Sequence, residues 1–248
     1  MEKIALVTGS SRGIGRAVAR ELARQGWRVC VNYRVRQDCA ESLAAELAAE
    51  GHAIMTYQAD VSQRQQVQAM VRAIQEKWGP VSLLVNNAGV AGQALFQDVT
   101  DEMWHRYFST NVDGAYHAIQ AVLPAMLHHH EGCIINTSSI CGLVGHMNTP
   151  EAYTATKGAI TLLTKSVAAR YGKDNIRCNS IHPATVDTPF VAALMAGPVK
   201  KQARLNEIPL GRLTSVEDVA NAVLYLASDE ASFLNGVNLP IDGGVTCY

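Results

Sequence analysis

Short, almost continuously apolar runs alternate with helical segments from residue 4 nearly to the end of this chain. The strand-like runs fall at residues 4–8, 27–32, 53–59, 81–86, 133–138, 176–181 and 237–241. Runs this apolar fit parallel strands buried on both faces better than strands with one wet face. After the first run, Ile14, Val18 and Leu22 repeat every four residues, and Gly26 closes that helix. Further helices are expected up to Gly51, at 62–77, at about 101–128 and at about 151–171. The alternation crosses residue 150 with no linker, repeat or low-complexity stretch. Residues 1–248 therefore read as a single doubly wound parallel α/β domain of Rossmann type, with helices on both faces of the sheet. Residues 187–207 are broken by Pro189 and by Gly197-Pro198, and are expected to form a mobile flap.

Composition narrows the function classes. The net charge is −1 and the pI about 6.7, which gives no general electrostatic reason to bind nucleic acid or an anionic membrane. No apolar run approaches the roughly 20 residues of a spanning helix. The start MEKIALVTGS carries no signal-peptide pattern. The 6 cysteines are scattered without a CxxC pair or zinc spacing and read as reduced thiols, so a cytoplasmic address is expected. The tract His128–His130 lies where a helix ends, and suits the helix dipole better than a metal, since adjacent helical residues point different ways.

Several motifs sit at the carboxyl ends of successive strands. TGSSRGIG, residues 8–15, joins the first strand to the first helix. Glycines there let backbone approach a pyrophosphate at a helix N-terminus, and no Walker lysine follows them. The second strand ends VNYRVR, with Tyr33 where an acid would grip a ribose 2′-hydroxyl. Arg34 beside it, and Arg12 on the glycine loop, can meet a 2′-phosphate instead, so NADP(H) is favoured over NAD(H). NNAG (86–89) ends the fourth strand, and NTSSICG brings Ser138 and Ser139 to the end of the fifth. In AYTATKG, Tyr153 and Lys157 stand one helical turn apart.

Together with Asn111 and a closing DGG, these motifs resemble the short-chain dehydrogenase/reductases over essentially the whole chain. The resemblance implies an NAD(P)-dependent oxidoreductase interconverting an alcohol and a carbonyl, and a homotetramer. It assigns catalysis to Asn111, Ser139, Tyr153 and Lys157: tyrosine as general acid or base, serine on the substrate oxygen, asparagine on a relay water. Lys157, with the positive nicotinamide ring, is expected to lower the tyrosine pKa and to position the nicotinamide ribose. Cofactor contacts fall on Gly9, Ser11, Arg12, Gly13, Ile14, Gly15, Arg34, Asp60, Val61, Asn87, Ala88, Gly89, Pro183, Val186 and Thr188, besides Tyr153 and Lys157. The family's PGxxxT appears here as PATVDT, with Ala184 in place of glycine.

The substrate is a small molecule, and its pocket is expected around Cys141, His146, Met147, Asn148, Phe190 and Leu194. A small alcohol, ketone or sugar-like substrate fits this mixed lining. The alternative is a 3-oxoacyl-[acyl-carrier-protein] reductase, whose acidic carrier needs a basic surface, whereas this chain offers HHHEG and GKDN. A non-catalytic dinucleotide-binding regulator would be expected to lack the tyrosine or the lysine.

Overall fold

The computed structural model describes residues 2–92, 94–146, 149–188, 191 and 198–247. Seven parallel strands form one sheet: β1 (Ile4–Val7), β2 (Arg28–Tyr33), β3 (Ile54–Gln58), β4 (Leu83–Asn86), β5 (Gly132–Thr137), β6 (Ile176–Pro183) and β7 (Asn238–Ile241). Their order is β3-β2-β1-β4-β5-β6-β7. The winding reverses between β1 and β4, and the crevice above that switch is where this class of sheet takes its ligands.

The alternation of side chains along each strand divides the core in two. Ala5, Val7, Val29, Val31, Leu83, Val85 and Ile135 face α1 (Gly13–Arg24), α2 (Gln37–Ala49) and the helix Val216–Ala227. Ile4, Leu6, Cys30, Leu84, Ile134 and Cys178 face α3 (Arg64–Trp78), α5 (Gly114–His129) and α6 (Glu151–Tyr171). Every residue of β1 and of β4 is buried, as the unbroken apolar runs require. In α1 the four-residue spacing buries Val18 and Leu22 against the sheet, and Ile14 packs at its edge.

Two expected elements differ. The single helix over 101–128 is α4 (Asp101–Phe108), a π turn (Ser109–Asp113) and then α5. The sequence STNVD is poor in helix formers, and the wider turn carries Asn111 inward, where it is buried. Immediately after it, α5 crosses so close to Val61 that a Cβ on Gly114 would lie 2.7 Å from Val61 Cγ2. The second difference is the flap, which contains a helix, α7 (Pro198–Asn206), before α8 (Val216–Ala227). A parallel bridge between Val186 and Thr214 ties the two stems of this stretch together.

Candidate active site

Two strand ends are clasped at the switch point. The Asn87 amide donates to the carbonyls of Thr8 (3.0 Å) and Gly9 (3.1 Å), while Thr8 Oγ1 accepts from the N–H groups of Asn87 (3.0 Å) and Ala88 (3.1 Å). Asn32, from β2, accepts the Gly9 N–H at 3.0 Å and donates to the carbonyl of Ala59 at 3.1 Å. The glycine loop is thus pinned from both sides by side-chain amides, of Asn32 (buried) and Asn87 (part-buried). Gly9 has φ +62°, and a Cβ there would lie 2.8 Å from Ala88 Cα, so only glycine fits.

The cradle suits a dinucleotide. Arg12 caps α1 with its backbone alone, leaving the first N–H groups of the helix without a side-chain partner. Across the crevice, a Cβ on Gly13 would be 3.8 Å from Thr188 Cγ2, so the loop after β6 faces the glycine loop at van der Waals distance. Pro183 at the end of β6 and Val186 in that loop are buried. Ala184 lies outside the left-handed region, so alanine in the family's glycine position is unstrained.

At the adenosine end, Tyr33 is buried in the core and offers no carboxylate. Arg34 is not free of company: its Nη1 lies 3.5 Å from Asp60 Oδ2, with the guanidinium half exposed. Asp60 also accepts from the Ser62 N–H (2.9 Å) and hydroxyl (2.7 Å). Burial pushes the Asp60 carboxyl up, but the Ser62 hydrogen bonds and the Arg34 charge outweigh it, and the net shift is downward. Val61 is buried beneath Gly114, and Arg12 is exposed.

The four catalytic candidates converge where β4, β5 and α6 meet. Gly89 lies over two of them: a Cβ there would be 3.3 Å from Asn111 Oδ1 and 3.8 Å from Lys157 Nζ. Asn111 Oδ1 accepts the Val90 N–H at 2.7 Å, and its amide donates to the Val90 carbonyl and to Thr156 Oγ1, each at 3.0 Å. Its side chain therefore holds the NNAG loop onto α6. Lys157 Nζ donates to the Thr137 carbonyl at 2.8 Å and lies 5.4 Å from the centroid of the Tyr153 ring. The Ser139 side chain is close enough to the Tyr153 phenol to favour its ionised form. Ser139 Oγ also accepts the Cys141 N–H at 3.3 Å. Ser138, one residue earlier, turns the other way and donates to the Lys157 carbonyl at 2.9 Å.

Burial dominates the electrostatics of the site. Burial, the largest influence, pushes the Tyr153 phenol above its ordinary value, the nearby Cys141 thiol adds to this, and only the Ser139 hydrogen bond opposes it. Burial also brings the Lys157 amine down to about 8, and its Nζ donates to the Thr137 carbonyl. In the protein alone, burial favours the protonated phenol.

Around this centre, Cys141 is buried with its Sγ 3.2 Å from Thr149 Oγ1. His146 Nε2 lies 3.0 Å from Arg204 Nη1 and 3.4 Å from Glu207 Oε2, tying the loop after β5 to α7. Met147, Asn148, Phe190 and Leu194, also assigned to the pocket, lie outside the described residues. Sequence reasoning missed the roles of Thr8, Asn32, Thr156, Arg204 and Glu207, whose partners are distant in the chain. Among the described residues no group of three metal-ligating side chains is close enough to hold an ion, and no helix is long and apolar enough to cross a membrane.

A glycine-loop cradle at the switch point of a parallel sheet, with serine, tyrosine and lysine above it, defines a nicotinamide-dependent oxidoreductase fold. Residues 9–246 match the family described as Enoyl-(Acyl carrier protein) reductase. The 3-oxoacyl-[acyl-carrier-protein] reductase FabG of Staphylococcus aureus is 37% identical over 245 residues, covering 99% of this chain and 98% of that one. Cyclopentanol dehydrogenase of Comamonas sp. is 37% identical over 245 residues, covering 99% and 97%. A gluconate 5-dehydrogenase from Burkholderia cenocepacia, solved with NADP and tartrate, superposes with a TM-score of 0.94 at 33% identity, covering 100% of this chain and 97% of that one. The chain belongs to the short-chain dehydrogenase/reductases. It is an NAD(P)-dependent oxidoreductase acting between CH–OH and C=O.

The buried Lys157 amine predicts a pH-dependent stability. Its folded value of about 8 lies below the usual 10.5, so between these the unfolded chain holds a proton that the folded chain lacks, and stability rises with pH across the window. Below it, the folded protein carries the full penalty of a buried ammonium. Lys157→Met should melt higher than the parent at pH 7, with the difference shrinking toward pH 10; a difference independent of pH would contradict this origin.

Proposed function

We propose that this enzyme reduces a small, partly polar ketone or sugar-like carbonyl with NADPH, and oxidises the matching alcohol in reverse, through Ser139, Tyr153 and Lys157. The observation that carries this reading is the convergence of Ser139, the Tyr153 phenol and the buried Lys157 amine, which lies 5.4 Å from the Tyr153 ring centroid, at the carboxyl edge of the sheet. Reduction builds negative charge on the carbonyl oxygen and requires a proton there. Ser139 donates a hydrogen bond to that oxygen, and the Tyr153 phenol, held protonated by burial, delivers the proton. The bound nicotinamide supplies or accepts the hydride. In the reverse direction Tyr153 takes the alcohol proton. Asn111 and Gly89 hold the NNAG loop against Lys157, keeping backbone available along the middle of the dinucleotide.

The loop at Cys141 and Thr149, and the His146–Arg204–Glu207 cluster, make a mixed polar and apolar mouth that suits a compact oxygenated substrate. Thioester reduction on a carrier protein is the second reading, favoured by the 37% identity to FabG. A panel of cyclopentanol, gluconate and a 3-oxoacyl thioester, assayed with both nicotinamide cofactors, separates the two. Exposed apolar side chains on the helices expected at subunit contacts, Tyr116 on α5 and Leu162 on α6, support a homotetramer working as one-domain protomers. Light scattering at micromolar concentration should give four times the chain mass, and a monomer would refute the assembly.

Tyr153→Phe should leave NADPH affinity little changed and lower kcat by about 10²–10⁴-fold, the usual worth of general acid–base catalysis; near-parent turnover would sink the mechanism.

The NADPH preference rests on Arg34 and Arg12 with no acid at Tyr33. Arg34→Ala should reduce the NADPH over NADH ratio in kcat/KM by about tenfold, since one charge-assisted hydrogen bond is worth roughly 1.5 kcal/mol or more. An unchanged ratio would remove Arg34 from the phosphate site.

A further inference from the structure

We infer that His182 is a positioning residue for Ser139: a buried imidazole on the neighbouring strand that fixes the serine peptide from behind. This rests on the catalytic role proposed for Ser139. Ser139 stands where β5 leaves the sheet and enters a tight turn (Ile140–Gly142), so no strand ladder holds its carbonyl. Two donors hold it instead, the Gly142 N–H at 2.9 Å and His182 Nδ1 at 2.7 Å. Both lone-pair directions of that oxygen are then taken, and the peptide that carries the catalytic hydroxyl cannot swing.

His182 lies near the end of β6, is wholly buried, and has its other nitrogen 2.8 Å from Ser180 Oγ. Ser180 in turn lies 2.7 Å from the side-chain amide of Asn238, its register partner on β7. This row runs from the edge strand inward and ends on the catalytic turn. Its protons can be assigned. A carbonyl only accepts, so Nδ1 carries the hydrogen. Burial pushes the imidazole below its ordinary value, so the ring is neutral and Nε2 is an acceptor. Ser180 has one proton to share between the two acceptors it touches, Nε2 and Asn238 Oδ1. The Ser139 carbonyl fixes the tautomer, and the ring, seated on Ser180, in turn holds the Ser139 peptide. A buried leucine would fill such a place without polar partners.

The test uses the difference between the two nitrogens. Asn at 182 presents an amide N–H near the Nδ1 position and abandons Ser180; Gln reaches toward Ser180 and abandons Ser139. With whichever of cyclopentanone, the keto form of gluconate or a 3-oxoacyl thioester the parent reduces best, His182→Asn should keep kcat within about threefold of the parent. His182→Gln and His182→Leu should lose about 10- to 100-fold in kcat, the range expected when a reacting group is misplaced by up to an ångström. KM and NADPH affinity should stay near the parent values in all three. If the leucine variant does not fold, the Asn and Gln pair decides alone. Equal kcat for Asn and Gln, or kcat falling in the order of melting temperature, would overturn the inference. Ser139→Ala is measured in parallel: a variant with parent turnover would overturn the role of Ser139 itself, whereas an inactive one beside equal Asn and Gln variants would overturn only the role of His182.

Discussion

The site depends on how the parallel sheet ends. A strand inside the sheet satisfies its backbone through its neighbours, but at the carboxyl edge the ladder stops while the chain is still buried. Each orphaned group there must find a side chain. At the switch point the answer is the clasp of Thr8, Asn87 and Asn32 around the glycine turn. Losing any of these amides would leave a buried donor or acceptor unpaired, at about 1–3 kcal/mol each. The same bonds that close the sheet therefore hold the dinucleotide cradle in shape, and fold and binding site share one set of contacts.

A second theme is the use of burial to set proton positions. Tyr153 and Lys157 are both driven toward their neutral forms by desolvation. The resting pair is a protonated phenol beside an amine whose charge responds to its surroundings. Thr137 accepts one hydrogen bond from that amine, which lies over the Tyr153 ring at 5.4 Å from its centroid.

What could be read in the sequence divides along chain separation. Helix α6 runs from Glu151 to Tyr171 as its residues suggest, and Tyr153 and Lys157 follow from one helical turn, a purely local fact. Ser139 was legible because it sits in a short motif at a strand end. The helix over 101–128 was legible only in part: STNVD is poor in helix formers, but the inward turn of Asn111 and the close approach of Gly114 to Val61 involve other elements. Asn32 and Thr8 acquire their roles from partners 23 and 79 residues away. Arg204 and Glu207 meet His146 only because α7 packs back on the loop after β5. No spacing rule reaches that far.

The adenosine end brings both effects to bear on cofactor choice. Arg34 is held toward Asp60, but at 3.5 Å with half its surface in water the pair belongs to the class worth about 0–1 kcal/mol. Asp60 has other partners in the Ser62 N–H and hydroxyl, which stabilise its charge without Arg34. A dianionic 2′-phosphate near Arg34 therefore competes against a weak contact, and its rival keeps most of its own hydrogen bonds after losing. Were Asp60 to depend on Arg34 alone, releasing it would strand a part-buried carboxylate, and the gain from the phosphate would be offset. Ser62 would thus matter to the proposed preference although it need touch no cofactor: by satisfying Asp60, it would leave the arginine easy to recruit.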